Sequence, residues 1–154
     1  MTTYLTTTIT CILLTITGVA QNDQVPTSVQ RAFSEIQPDT QVHWDLDNQL
    51  NEKTNSFKHL PNSKLIFTGQ FKENGSISAH VFNGNGTYIR KEVGIKPNEL
   101  PILTQVFVRS KIQHPISKAT RWEVFDGSVE YCVTLGQRKY LFSQHGDNLG
   151  QLEL

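Results

Sequence analysis

The chain has 154 residues and a formal net charge of zero, with 14 basic side chains balanced by 14 acidic ones. That balance leaves no electrostatic footprint for nucleic acid and no basic amphipathic stretch for a membrane surface. The length suits one ordinary domain or two very small ones, and two Trp, eight Phe and four Tyr supply core material at about 25 cal/mol per Å² buried.

Met1–Ala20 carries no charged side chain. Its apolar run, Ile9–Val19, ends in Gly18-Val19-Ala20 before the polar Gln21-Asn22-Asp23-Gln24. Small residues at that end read as a signal peptide cleaved after Ala20. The run is far short of the roughly 20 residues that span a bilayer, so no transmembrane anchor is expected, and the protein is expected in the periplasm or secreted. Cys11 lies inside the run, so there is no lipobox. After cleavage Cys132 is the only thiol and no intrachain disulfide is possible.

The remaining chain reads as two similar halves. Pro26 and Pro101 each open a helix, a position where the missing N–H is not needed. Val29, Ala32, Phe33 and Ile36 form one i, i+3, i+4, i+7 stripe; Leu103, Val106, Phe107 and Ser110 form a weaker one. Pro38 and Pro115 discourage continuation. Each half then places a tryptophan before an acid, Trp44-Asp45 and Trp122-Glu123. Alternating strands follow: Leu65–Phe71, Ala79–Asn83 and Tyr88–Val93 in the first half, and Arg121–Val124, Val129–Leu135, Lys139–Ser143 and Leu149–Leu152 in the second. Turns fall at Glu73-Asn74-Gly75, Asn83-Gly84-Asn85-Gly86, Asp126-Gly127 and Gln144–Asp147.

This pattern predicts an α+β fold: a tandem repeat of two helix-plus-antiparallel-meander units, forming one curved sheet with the helices on one face. The first unit covers 21–93, with a polar insertion at 46–64; 94–99 is a linker and 100–154 the second unit. The core face is expected to carry Val42, Trp44, Phe67, Phe71, Trp122, Val124, Tyr131, Val133 and Leu135. The other face is expected to carry His43, Asp45, Thr68, Gln70, Arg121, Glu123, Glu130, Cys132 and Thr134.

The second half, Ile116-x-Lys118-Ala119-x-Arg121-x-Glu123-x-x-Asp126-Gly127 through Tyr131-x-Val133-x-Leu135 and Lys139-Tyr140-x-Phe142 into Gly146, resembles the PepSY domain pattern. The first half resembles the PepSY-like family of bacterial periplasmic proteins through Val25-Pro26-x-x-Val29-x-x-Ala32-Phe33, Pro38, Val42-His43-Trp44-Asp45, and Phe71–Gly75 leading to Phe82–Gly86. The resemblance covers nearly the whole mature chain except insertion and linker. It implies a tandem fold similar to that of beta-lactamase inhibitory protein, and an extracytoplasmic, non-enzymatic binding or inhibitory role. The long insertion after Trp44 departs from the pattern.

No residue set announces catalysis. No serine sits in a nucleophile elbow, and Asn83-Gly84-Asn85-Gly86 lacks the Lys and following helix of a phosphate loop and the acids of a calcium loop. His43, His59, His80, His114 and His145 stand at no zinc spacing; His43 and His80 are the pair that could meet on one sheet face. Cys132 reads as a half-buried strand residue whose same-face neighbours, Glu130 and Thr134, give a thiolate no support; an intermolecular disulfide in an oxidising compartment is the other reading. Asn74-Gly75-Ser76 and Asn85-Gly86-Thr87 are formal glycosylation sequons whose asparagines turn geometry alone explains.

What remains is a surface. Eight strands at about 4.8 Å spacing and about 20 Å length give an open face of roughly 760 Å², close to the about 800 Å² per partner of a standard interface. The expectation is therefore a non-enzymatic module that binds an extracytoplasmic protein through His43, Asp45, Thr68, Gln70, Arg121, Glu123, Glu130 and Thr134, without cofactor or metal. An inhibitor-like or regulatory role toward extracytoplasmic peptidases goes with it. A small-ligand or metal carrier and a structural envelope protein are the alternatives.

Overall fold

The computed structural model describes residues 24–47, 65–110 and 115–153. The expected signal peptide, most of the expected insertion, and His59 and His114 lie outside the described residues.

Helix α1 spans Thr27–Ile36. Pro26 starts it, its carbonyl accepting from the Val29 and Gln30 amides at 2.9 and 3.1 Å. The Gln30 side chain donates to Val25 O at 2.9 Å, tying the first turn to the chain that enters it. Val29 and Phe33 are buried, whereas Ile36 at the end of the expected stripe is exposed.

Helix α2, Ile102–Ser110, is started the same way by Pro101, and Gln105 donates to Leu100 O at 2.8 Å. Its stripe is not the expected one. Thr104 is buried and Phe107 and Val108 pack on the core, while Ile102, Leu103 and Val106 are exposed. Helices of this length are marginal alone, so both depend on the sheet beneath them.

The strands are β1 (His43–Asp47), β2 (Ile66–Glu73), β3 (Ser76–Asn83), β4 (Tyr88–Gly94), β5 (Ile116–Val124), β6 (Val129–Leu135), β7 (Arg138–Ser143) and β8 (Asn148–Glu153). They form a single eight-stranded sheet in chain order, with every neighbouring pair antiparallel. The β4–β5 seam is paired continuously, from Arg90 opposite Val124 to Gly94 opposite Thr120. This corrects the expected architecture. The expected single sheet is present, but the molecule is one mostly-sheet body of eight strands with two short helices, not two helix-plus-meander repeat units with helices on one face. β1 also takes in Leu46 and Asp47, which the sequence pattern places in the insertion.

Two apolar clusters build the core. Phe33 of α1 meets Trp44, Phe71 and Phe82 edge-on, with ring centroids 5.3 to 6.4 Å apart. Val25, Val29 and Phe67 complete that cluster. The second holds Leu100, Ala119, Val133, Leu135, Tyr140 and Phe142, against which Phe107 and Val108 of α2 pack. Between the two, charges cross β2, β4 and β5. Lys91 Nζ pairs with Glu73 Oε2 at 2.6 Å, Lys91 stands opposite Glu123, and Arg121 Nη1 pairs with Glu123 Oε1 at 3.1 Å.

Two turns are pinned to the helix starts. In Asn83–Thr87 the Asn83 side chain accepts from the Asn85 and Thr87 amides, both at 3.0 Å. In Ser143–Asp147 the Ser143 hydroxyl accepts from the His145 and Asp147 amides at 3.2 and 3.1 Å. Gly86 and Gly146 sit there at φ +83° and +91°. A Cβ on Gly86 would stand 2.6 Å from Ser28 O in α1, and one on Gly146 would stand 2.9 Å from Leu103 Cβ and Thr104 N in α2. Only glycine meets both demands, left-handed backbone and close approach.

Candidate binding surface

Strand register decides which side chains share a face. His43 stands opposite Gln70 and Asp45 opposite Thr68; Gln70 in turn faces Ala79, Ala79 faces Glu92 and Glu92 faces Trp122. Trp122 faces Glu130. These residues therefore lie on the sheet face opposite to Trp44 and the α1 contacts, the reverse face.

Of the expected surface residues, His43, Asp45, Thr68, Gln70, Glu130 and Thr134 do share the reverse face. Arg121 and Glu123 do not. They alternate with Trp122 and project to the side of Lys91 and Tyr131. The converse correction applies to Trp122 and Val124, expected on the core face with Trp44 and found on the reverse face.

Nor is the reverse face open along its length. Ile66, Val81 and Ile89 form a buried apolar cluster on it, and Arg90, Trp122, Val124, Cys132 and Leu141 are buried as well. Glu130 and Thr134 are buried, not surface groups. Arg90 lies over the Trp122 ring, its Cζ 3.9 Å from the centroid, and its Nη2 pairs with Glu92 Oε1 at 2.6 Å. The Trp122 indole donates to Thr120 Oγ1 at 3.1 Å.

Cys132 is buried between Thr120 and Leu141 rather than half-buried. Burial, reinforced by the charge of Glu92, pushes its thiol up to about 12. A disulfide to another chain would require uncovering this buried thiol. His43 and His80 lie on opposite faces, so they cannot share a metal. Among the described residues no group of three His, Cys, Asp or Glu side chains is placed to hold a metal ion, and no helix is long and apolar enough to cross a membrane.

One accessible part of the reverse face is its β1–β3 end. A groove of about 570 Å³, open to solvent, wraps this end of the sheet: His43, Gln70, Lys72 and Ile77 line it from the reverse face, Val42 and Phe71 from the α1 face, and Thr40 and Gln41 from the segment entering β1. Ile77 is 63% exposed. Gln70 donates to Asp45 Oδ2, and His43 Nε2 lies 3.5 Å from Asp45 Oδ1. The polar rim is thus braced while the isoleucine stands clear. Sequence reasoning finds His43, Asp45, Thr68 and Gln70 but misses Lys72 and Ile77. A signal for Ile77 exists: it alternates with Ser76 and Ser78 just after the Asn74-Gly75 turn, which puts an apolar side chain on the face of Gln70 and Lys72.

No family model matches the chain, and no curated protein matches it. Solved structures do share the fold. A DUF2874 family protein from Bacteroides ovatus superposes with a TM-score of 0.58 at 16% identity, over 83% of this chain and 86% of that one. A Bacteroides eggerthii protein named as periplasmic gives 0.58 at 19% identity, over 84% and 88%. A BLIP-like protein from Bacteroides fragilis gives 0.53 at 17% identity, over 84% and 86%. At these identities the likeness is one of fold: the chain has a BLIP-like fold.

Proposed function

We propose that this chain is an exported, non-enzymatic module that binds an extracytoplasmic protein through the β1–β3 end of the reverse face, in an inhibitor-like or regulatory manner toward extracytoplasmic peptidases. The observation that carries the reading is the exposed Ile77 beside a polar-rimmed groove at the β1–β3 end of a sheet whose reverse face is buried over much of its middle. An apolar anchor ringed by polar groups is the anatomy of an interface centre. The BLIP-like and periplasmic names belong to the structural neighbours; they support the same reading here, as do the signal-like first twenty residues.

The groove volume also falls within the roughly 300–1,000 Å³ of small-molecule sites, which favours a small-ligand carrier as the second reading. One pair of experiments separates them. Native mass spectrometry of freshly purified protein reveals a bound small species if the chain is a carrier. Surface plasmon resonance against a panel of secreted peptidases reveals binding, lost in Ile77→Asp, if it is a protein-binding module. Absence of binding across the panel, with a small molecule retained, overturns the proposal in favour of the carrier.

A further inference from the structure

We propose that His80 makes the docking of α1 onto the sheet acid-labile, so that protonating this one ring releases the helix. His80 is 3% exposed and sits in the middle of β3, beneath α1. Its ring stacks on Phe71 with centroids 5.0 Å apart and 14° between planes. Phe33 of α1 meets it edge-on at 5.9 Å, and Tyr88 and Phe82 close the cage at 5.5 and 6.4 Å. Neither ring nitrogen has a hydrogen-bond partner among the described residues.

A neutral imidazole tolerates that cage poorly and an imidazolium worse, since a buried charge without an acceptor is costly. The charged neighbours do not help. Lys91 stands directly across the strand pair from His80. Glu73 is engaged by Lys91 at 2.6 Å and by the Ser78 hydroxyl at 3.3 Å. From β5, Glu123 lies beyond Lys91, and the charged residues of α1, Arg31 and Glu35, are exposed. On β1, His43 and Asp45 belong to the other face. The cheapest way to hydrate a protonated His80 is to lift Phe33, and with it α1.

Burial first, and Lys91 second, depress His80 from 6.5 to about 4, with Glu73 opposing weakly. Glu73 itself is held below its ordinary range, chiefly by its hydrogen bond with Lys91. The helix-open state thus binds a proton that the docked state refuses. Docking is at full strength above about pH 6.5, weakens as pH falls, and levels off below about 4.

The test is amide hydrogen exchange of α1 in the purified chain, corrected for intrinsic rates. Between pH 7.5 and 5 the opening constant of α1 should rise roughly thirtyfold, while α2, which has no histidine beneath it among the described residues, should change little. In His80→Phe the rise should vanish. An unchanged opening constant in the wild type, or the same rise in the variant, overturns the proposal. Should the variant not fold, the wild-type ring decides by NMR: titration near 6.5 overturns the proposal, and titration below 5 supports it.

Discussion

The Arg90 guanidinium lies over the Trp122 ring, its Cζ 3.9 Å from the centroid, with both groups buried on the reverse face. A planar, weakly hydrated cation is what such a stack requires. Arg90→Lys keeps the charge but forfeits both the stack and the two bonds to Glu92, made at 2.9 and 2.6 Å. It should cost about 1–3 kcal/mol in urea unfolding. Trp122→Ala should cost about 3–5 kcal/mol. Trp44 contacts Phe33 and Phe82 on the other face and shares none of these partners. Trp44→Phe and Trp122→Phe should therefore add to within about 0.5 kcal/mol. A coupling well above that would place the two indoles in one core.

Cys132 offers a chemical probe of the same face. Its thiol is pushed up to about 12 by burial, so essentially none is thiolate at pH 8, and the thiolate is the reactive form. Labelling with Ellman's reagent at pH 8 should be slow in the native protein and fast in denaturant. Cys132→Ser, which buries a hydroxyl between Thr120 and Leu141, should cost about 1–3 kcal/mol. Rapid native labelling would mean the thiol is accessible.

The turns pinned to the helix starts make a second, independent prediction. Gly75 has φ +80°, but a Cβ added there would meet nothing within 4 Å, whereas Gly86 and Gly146 face Ser28 O and Leu103 Cβ at 2.6 and 2.9 Å. Gly75→Ala should cost only the left-handed backbone penalty, about 1–2 kcal/mol. Gly86→Ala and Gly146→Ala should each cost at least about 1 kcal/mol more, measured as a shift in urea midpoint. Equal losses at all three would detach the turns from the helices.

Strands and turns are readable in the sequence because the alternation in Val129–Leu135 and the Asn-Gly and Asp-Gly pairs have local causes. Faces are not, for a physical reason visible at Trp122. Alternation says that Trp122 and Val124 point one way and Arg121 and Glu123 the other; it does not say which way is the core. Where one face is solvated, the apolar set identifies it. Here the reverse face buries Ile66, Val81 and Leu141 too, so the apolar set of β5 belongs to the side expected to be polar. The same ambiguity hides the helix stripe. Leu103 and Val106 are more apolar than Thr104, yet Thr104 is the buried residue, held where Gly146 approaches the first turn. The groove is half legible: His43 and Gln70 follow from strand pairing, but Ile77 needs the register of the β2–β3 hairpin.

Site-specific photocrosslinking tests the recognition surface most directly. A benzoylphenylalanine is placed at Gln70 or Ile77, and, for comparison, at Ile102 or Phe125, which are 78% and 67% exposed but lie away from the groove. In cells that export the protein, the groove positions should yield one discrete protein adduct, lost when His43→Asp is added to the Gln70 position, and the comparison positions should yield none. Adducts at Ile102 or Phe125 with none at Gln70 and Ile77 would contradict a partner bound at the β1–β3 end.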